Sequence, residues 1–125
     1  MSSLFYKKIK PYVEQELTSA KQARTKRNYR AEFKHLENAH VLGQASTLLH
    51  TKVHLLMLLW AIRQVDIKEC LGQIFRIIGA ATKTAIGFIP TGNTGGTNVS
   101  PFKVLPVSSK LASIIAKANH SVQTD

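Results

Sequence analysis

Four residues that commonly bind metals lie near the middle of the chain: Glu37, His40, His50 and His54. Glu37 and His40 are three residues apart and His50 and His54 are four apart, so each pair would share one face of a helix. If a turn between two helices centres near Ala45, His40 and His50 lie five residues to either side of it. An antiparallel hairpin would then bring both pairs to one place.

Together these four side chains could hold one divalent transition-metal ion. Imidazole and carboxylate suit zinc, nickel, copper or iron, and three protein ligands with an open position suit catalysis or metal transfer. Uptake is expected to weaken as pH falls through the ordinary histidine range near about 6.5. The alternative is structural: buried histidines satisfy their nitrogens by hydrogen bonding, and Glu37 orients His40. A di-iron carboxylate site is not favoured, since the chain has only seven acids.

Helical periodicity predicts the elements that would position these residues. The hairpin is expected over residues 28–64, where Tyr29, Phe33 and Leu36 share a stripe with His40. No alternating strand pattern is present, so the predicted fold is an all-α bundle of about four main helices plus a short C-terminal helix. Residues 1–125 are predicted to form a single domain. Its first helix covers 1–24, with Pro11 as a bending point. The hairpin at 28–64 follows, then a fourth helix at 66–86, a Gly/Pro-rich loop at 87–106 and the last helix at 108–119.

Caps and apolar patterns support these boundaries. Gly43 would end the second helix, Ser46 or Thr47 would cap the third, and Ser108 would cap the last. The third helix is apolar almost all round, which predicts a central, buried helix. In the fourth helix a capping box, Asp66 with Glu69, precedes an apolar stripe comprising Ile67, Leu71, Ile74, Ile78, Ala81 and Ala85.

The one cysteine, Cys70, excludes an intramolecular disulfide and a multi-thiolate zinc site within one chain. It lies near the apolar stripe and is expected to be a packed thiol, so enzymatic activity is not favoured. The N-terminus lacks a signal-peptide pattern, and the apolar run 53–62 is too short to span a bilayer. A cytoplasmic location is therefore expected.

The glycine-rich segment Gly92, Asn93, Thr94, Gly95 and Gly96 could expose backbone amides as an anion-binding nest. It follows a helix rather than a strand and lacks the Gly-Lys-Ser/Thr ending of a phosphate-binding loop. A structural loop is the alternative.

The segment from Leu36 to Gln44, followed by His50, His54, the pair Gly72-Gln73 and the glycine-rich segment, resembles a bacterial domain family of unknown function. The resemblance extends over residues 24–116. Members of that family are often encoded beside heavy-metal resistance and efflux genes, which implies metal handling for the histidine hairpin and the glycine-rich segment together. It implies no catalytic assignment.

An interaction module is a second reading, in which stacked helix hairpins present a groove to another protein. The chain lacks the 34-residue self-similarity of tetratricopeptide repeats, and two histidines interrupt its third helix. Under that reading the histidines are structural.

The formal charge of +10 would attract polyanions, most directly through Arg24, Lys26, Arg27, Arg30 and Lys34. No aromatic stacking platform or recognised reading motif accompanies this cluster. We therefore predict only weak, salt-sensitive binding to DNA or RNA, measured by titrating labelled oligonucleotides at low and physiological salt. Tight, sequence-selective binding at physiological salt would contradict this expectation.

Overall fold

The computed structural model describes residues 3–82, 95–96 and 105–124. Within these residues the chain forms five α-helices and no strand, which confirms the all-α prediction. The helices are α1 (Ser3–Thr25), α2 (Tyr29–Gly43), α3 (Thr47–Gln64), α4 (Ile67–Thr82) and α5 (Ser109–Thr124). The predicted end of the fourth helix, at 86, and most of the predicted loop at 87–106 lie outside the described residues.

Four of these helices begin at a side chain that accepts a hydrogen bond from a free backbone amide of the first turn. The acceptor is Asn28 for α2, Ser46 for α3, Asp66 for α4 and Ser108 for α5. The caps at Ser46 and Ser108 are as predicted. Asp66 also caps its helix as expected, with its carboxylate 2.9 Å from the amide nitrogen of Glu69.

The hydrophobic core lies between α1, α2, α3 and α5. Its largest fully buried apolar side chains are Ile9 and Val13 of α1, Leu42 of α2, and Val53 and Met57 of α3. Leu111 and Ala118 add the contribution of α5. None of the described α4 side chains belongs to this core cluster. Helix α4 instead packs along α3.

The α2–α3 hairpin is held in register at both of its ends. At the connection, a Cβ on Gly43 would lie only 3.0 Å from Cβ of Leu49, so glycine provides the room for a three-residue turn. At the open end, Arg63 donates to the buried carboxylate of Glu32. Burial raises the pKa of Glu32, and the charges of Arg63 and Arg24 oppose that rise. The short turn and the Arg63–Glu32 contact therefore fix how far α2 and α3 are shifted along each other.

The predicted burial of α3 on all sides is wrong. Leu55 and Leu59 are 49% and 43% exposed, so α3 has one buried face and one face open to solvent. The apolar stripe of α4 is also exposed: Leu71, for example, retains 65% of its accessible surface. Periodicity reveals that a face is apolar, but it does not reveal what covers that face.

The buried face of α4 is polar and is formed by Glu69, Gln73 and Arg76. Cys70 lies between the two faces and is half-buried. Helix α4 is thus turned with its polar side toward the rest of the protein. None of the helices in the described part of the chain is long and apolar enough to cross a membrane.

Candidate metal centre

Three histidines meet between α2 and α3, each with its Nε2 atom directed at the other two. Nε2 of His40 lies 3.1 Å from Nε2 of His50 and 3.1 Å from Nε2 of His54, and the last two atoms are 2.9 Å apart. Each side chain is only 2% exposed. The three predicted histidines therefore meet across the hairpin.

Local structure explains why the three rings meet. His50 and His54 are one helical turn apart on α3, so their side chains project from the same face. His40 lies in the last turn of α2, directly before the short connection that Gly43 permits. The ring centroids are 4.6–4.9 Å apart, and each pair of rings is inclined by 56–66°. In this arrangement the ring edges, not the ring faces, point to a common centre.

Gln73 of α4 determines which ring nitrogen of a neutral His54 carries the proton. Its side-chain oxygen Oε1 lies 2.6 Å from Nδ1 of His54. The amide nitrogen of Gln73 is directed elsewhere, toward Oε2 of Glu69 and the carbonyl oxygen of Gly95, each at 2.7 Å. Both of those atoms are acceptors, so the orientation of the amide is fixed and Nδ1 of His54 must donate. A neutral His54 therefore presents the lone pair of Nε2 to the other histidines.

Gly95 closes the cluster from a distant part of the chain. A Cβ at this position would lie 2.5 Å from Cδ2 of His40, which is far inside normal contact, and the backbone has φ +86°. Both facts demand glycine. Gly95 and Gly96 are buried, whereas Gly92, Asn93 and Thr94 of the predicted anion-binding segment lie outside the described residues. Gly95 contacts Gln73 through its carbonyl oxygen, which accepts a hydrogen bond. An anion-binding nest would use backbone amide donors instead.

Burial keeps two of the histidines neutral. Desolvation lowers the pKa of His50 to about 4. Desolvation also lowers the pKa of His54 to about 3, with further lowering by the charges of His50 and Arg76, while the hydrogen bond to Gln73 opposes the change. From the sequence, protons were expected to compete with the metal at about pH 6.5, the ordinary range for histidine. That range applies to exposed imidazoles and not to these two buried ones.

His50 differs from His54 in the hydrogen bonding of Nδ1, the ring nitrogen that does not face the other histidines. Among the described residues, Nδ1 of His50 is buried and has no hydrogen-bond partner. Among these residues no hydrogen bond at Nδ1 fixes the tautomer, so the proton of a neutral His50 can reside on either nitrogen. With the proton on Nε2, His50 can donate to His54; with the proton on Nδ1, a second lone pair faces the centre.

Glu37, predicted to be the fourth ligand or an orienting group, lies outside the group of ligand atoms within 4.8 Å that the three histidines form. It is half-buried on α2. His35, on the same helix, is engaged elsewhere: its Nδ1 atom lies 2.7 Å from Oε2 of Glu16 on α1.

The basic cluster also lies apart from the histidines. Arg24, Lys26, Arg27, Arg30 and Lys34 are all exposed around the turn between α1 and α2. Arg27 adopts a left-handed conformation there, with φ 59°.

The orienting role of Gln73 and Glu69 was not predicted from the sequence. A signal was present, because Glu69, Gln73 and Arg76 follow one another at spacings of four and three residues. This places polar side chains along one side of α4, opposite its apolar stripe. Such a polar stripe indicates either a solvated face or a face directed at a polar site, and only the structure distinguishes them.

The fold and site define a small helical protein with a buried three-histidine cluster. A model of the family described as "Protein of unknown function (DUF3703)" matches residues 7–115, and the chain belongs to that family. Searches among curated proteins and among solved structures found no match.

The neutral state of His50 and His54 makes the metal-free protein sensitive to acid. Both pKa values are lower in the folded than in the unfolded chain, so the unfolded chain binds more protons as pH falls below about 6.5. We expect stability to decrease from pH 6.5 toward pH 4, by up to about 1.4 kcal/mol per pH unit for each histidine. The measurement is denaturant unfolding with a chelator present, at several pH values.

A control separates these histidines from other groups that titrate in acid. His50→Leu should show a smaller dependence of unfolding free energy on pH than wild type, whereas His35→Leu should retain most of the dependence. Equal pH dependence in wild type and His50→Leu would show that His50 does not supply the effect.

Proposed function

We propose that this protein binds one divalent transition-metal ion through Nε2 of His40, His50 and His54, and that it serves to hold or transfer the ion. The observation that carries the proposal is the convergence of three imidazole nitrogens within 3.1 Å of one another in a buried site. Zinc, nickel, copper and iron are the candidates, since imidazole suits all four.

The spacing of the nitrogens suits a metal ion. The three Nε2 atoms are close enough together to bind one ion at the usual zinc–imidazole distance of about 2.0–2.1 Å. Three protein ligands with one exchangeable position suit an ion that is to be passed on as well as one that is held.

Protonation also favours binding. His54 presents a lone pair because its Nδ1 atom donates to Gln73, and burial keeps His50 neutral. Neutral imidazoles need not lose a net proton before they bind, so acid competes weakly in the folded state. A hydrogen-bonded series runs from His54 through Gln73 to Glu69. In known histidine–metal sites, a similar hydrogen bond from a residue that does not contact the metal fixes the orientation of the ring.

The alternative of purely structural histidines also has an observation in its favour. The separations of 2.9–3.1 Å are within hydrogen-bonding range, so a proton on one Nε2 can link two rings without a metal. The two readings predict different metal contents. Measurement of bound metal therefore decides between them.

Wild-type protein, purified without a histidine tag, should bind about one equivalent of metal per chain, measured by mass spectrometry of the metals. At a free metal concentration of 100 times Kd, binding should stabilise the fold by about 2.7 kcal/mol and raise Tm. His40→Ala and His54→Ala should lose stoichiometric binding and the rise in Tm.

His35→Ala is the matched control for these variants, because it removes a histidine of α2 that pairs with Glu16 outside the cluster. It should keep the metal. If wild type contains none and zinc, nickel, copper and iron all leave Tm unchanged, the histidines are structural and the proposal is wrong.

Gln73→Leu should weaken metal affinity about 10- to 100-fold, because it removes the acceptor that orients His54. Affinity would be measured by competition with a chromophoric chelator, with circular dichroism to establish that the variant is folded. Gln15→Leu, at an exposed position of α1, should bind as wild type does. Unchanged affinity in a folded Gln73→Leu protein would show that Gln73 has no part in binding.

A further inference from the structure

The α3–α4 hairpin exposes a large apolar surface on the side away from the core. We define this outer face by eight side chains that are each 43–70% exposed: Leu55, Leu59, Ile62, Ile67, Leu71, Ile74, Phe75 and Ile78. None of the eight is polar. The face is separate from the histidine cluster, which lies on the buried side of both helices.

The outer face is continuous and not a set of scattered residues. Helices α3 and α4 pack together and are joined by only two residues, Val65 and Asp66, so they run antiparallel. Leu59 and Leu71 are each six residues from Val65 and therefore lie at similar heights. Within α4, the spacing from Ile67 to Ile78 follows a single helical stripe. The two helices thus present two adjacent apolar ridges.

The size of this face exceeds what monomeric proteins usually expose. From the exposed fractions, the eight residues present roughly 800 Å², whereas the largest apolar patch on a typical monomer is about 300–600 Å². A stable protein–protein interface needs about 800 Å² from each partner. The outer face is therefore large enough to supply one half of such an interface.

The orientation of α4 gives a second reason to expect a partner. An amphipathic helix normally gains its stability by burying its apolar side, yet α4 buries Glu69, Gln73 and Arg76 and leaves Leu71 and Phe75 in solvent. Against the described residues of its own chain, the hydrophobic contribution of this helix is largely unrealised. Covering the outer face would recover that contribution.

We propose that the outer face binds the same face of a second copy of this chain. Two antiparallel hairpins laid face to face form a four-helix bundle, in which the ridges of each copy bury those of the other. The uncharged face selects a partner that is itself apolar over an equal area, and a second copy supplies one. The exposed cations Lys52 and Lys68 lie three residues before Leu55 and Leu71, so they border the face, where solvent and salt screen their repulsion.

Sedimentation velocity and light scattering of the full chain test this proposal. Wild type at micromolar concentration should have twice the chain mass of 13.8 kDa. Leu71→Glu should weaken self-association by about 100-fold or more, because each copy would bury an unpaired carboxylate. Leu71 is exposed within the single chain, so the variant should keep its helical circular dichroism. Gln22→Glu, which adds the same charge at an exposed position on α1, should remain dimeric.

Wild type that remains monomeric at high micromolar concentration, both metal-free and metal-loaded, would overturn the proposal. So would a monomer that sediments with vesicles of phosphatidylcholine and phosphatidylserine, which would assign the face to a lipid surface. A Leu71→Glu protein that is still dimeric would show that the interface lies elsewhere. These outcomes do not depend on metal binding, which is measured by metal content.

Discussion

The convergence of three imidazole nitrogens in a space closed to water is the interaction that organises this protein. Polar ring nitrogens are costly to bury unless each has a partner, and here the inner nitrogens have one another. The geometry requires a close turn after α2, a helical repeat of four residues on α3, and a cover that excludes water. Gly43, the pair His50 and His54, and Gly95 meet these three requirements in turn.

The same interaction accounts for the unusual placement of α4. Nδ1 of His54 needs a hydrogen-bond acceptor, and Gln73 supplies one only if the polar side of α4 faces inward. Glu69 then holds the amide of Gln73 in the required orientation. The apolar side of α4 is consequently turned away from the core that α1, α2, α3 and α5 form. A local demand of the site thus overrides the usual preference of a helix to bury its apolar face.

Much of the architecture was predictable from the sequence, because helical periodicity and caps are local signals. The hairpin, the caps at Ser46 and Ser108 and the approach of three histidines all followed from spacing. The predicted burial of α3 was wrong, and the direction of the α4 stripe was not predicted, since both depend on contacts between helices that the local pattern does not show. Gln73 was missed for the same reason: its function depends on a histidine 19 residues away. Glycine at position 95 suggested a loop, but its contact with His40 was not encoded in any local pattern.

The separation of these contacts along the chain bears on the order of assembly. The outermost members of the histidine cluster, His40 and His54, are only 14 residues apart, so closing the loop between them costs little chain entropy. Gln73 and Gly95, by contrast, are joined by a contact that spans 22 residues and lies farther along the chain. Local contacts generally form faster than distant ones. The α2–α3 hairpin can therefore bring its three rings together before Gly95 covers them, and at that stage the centre would still admit the metal ion proposed above.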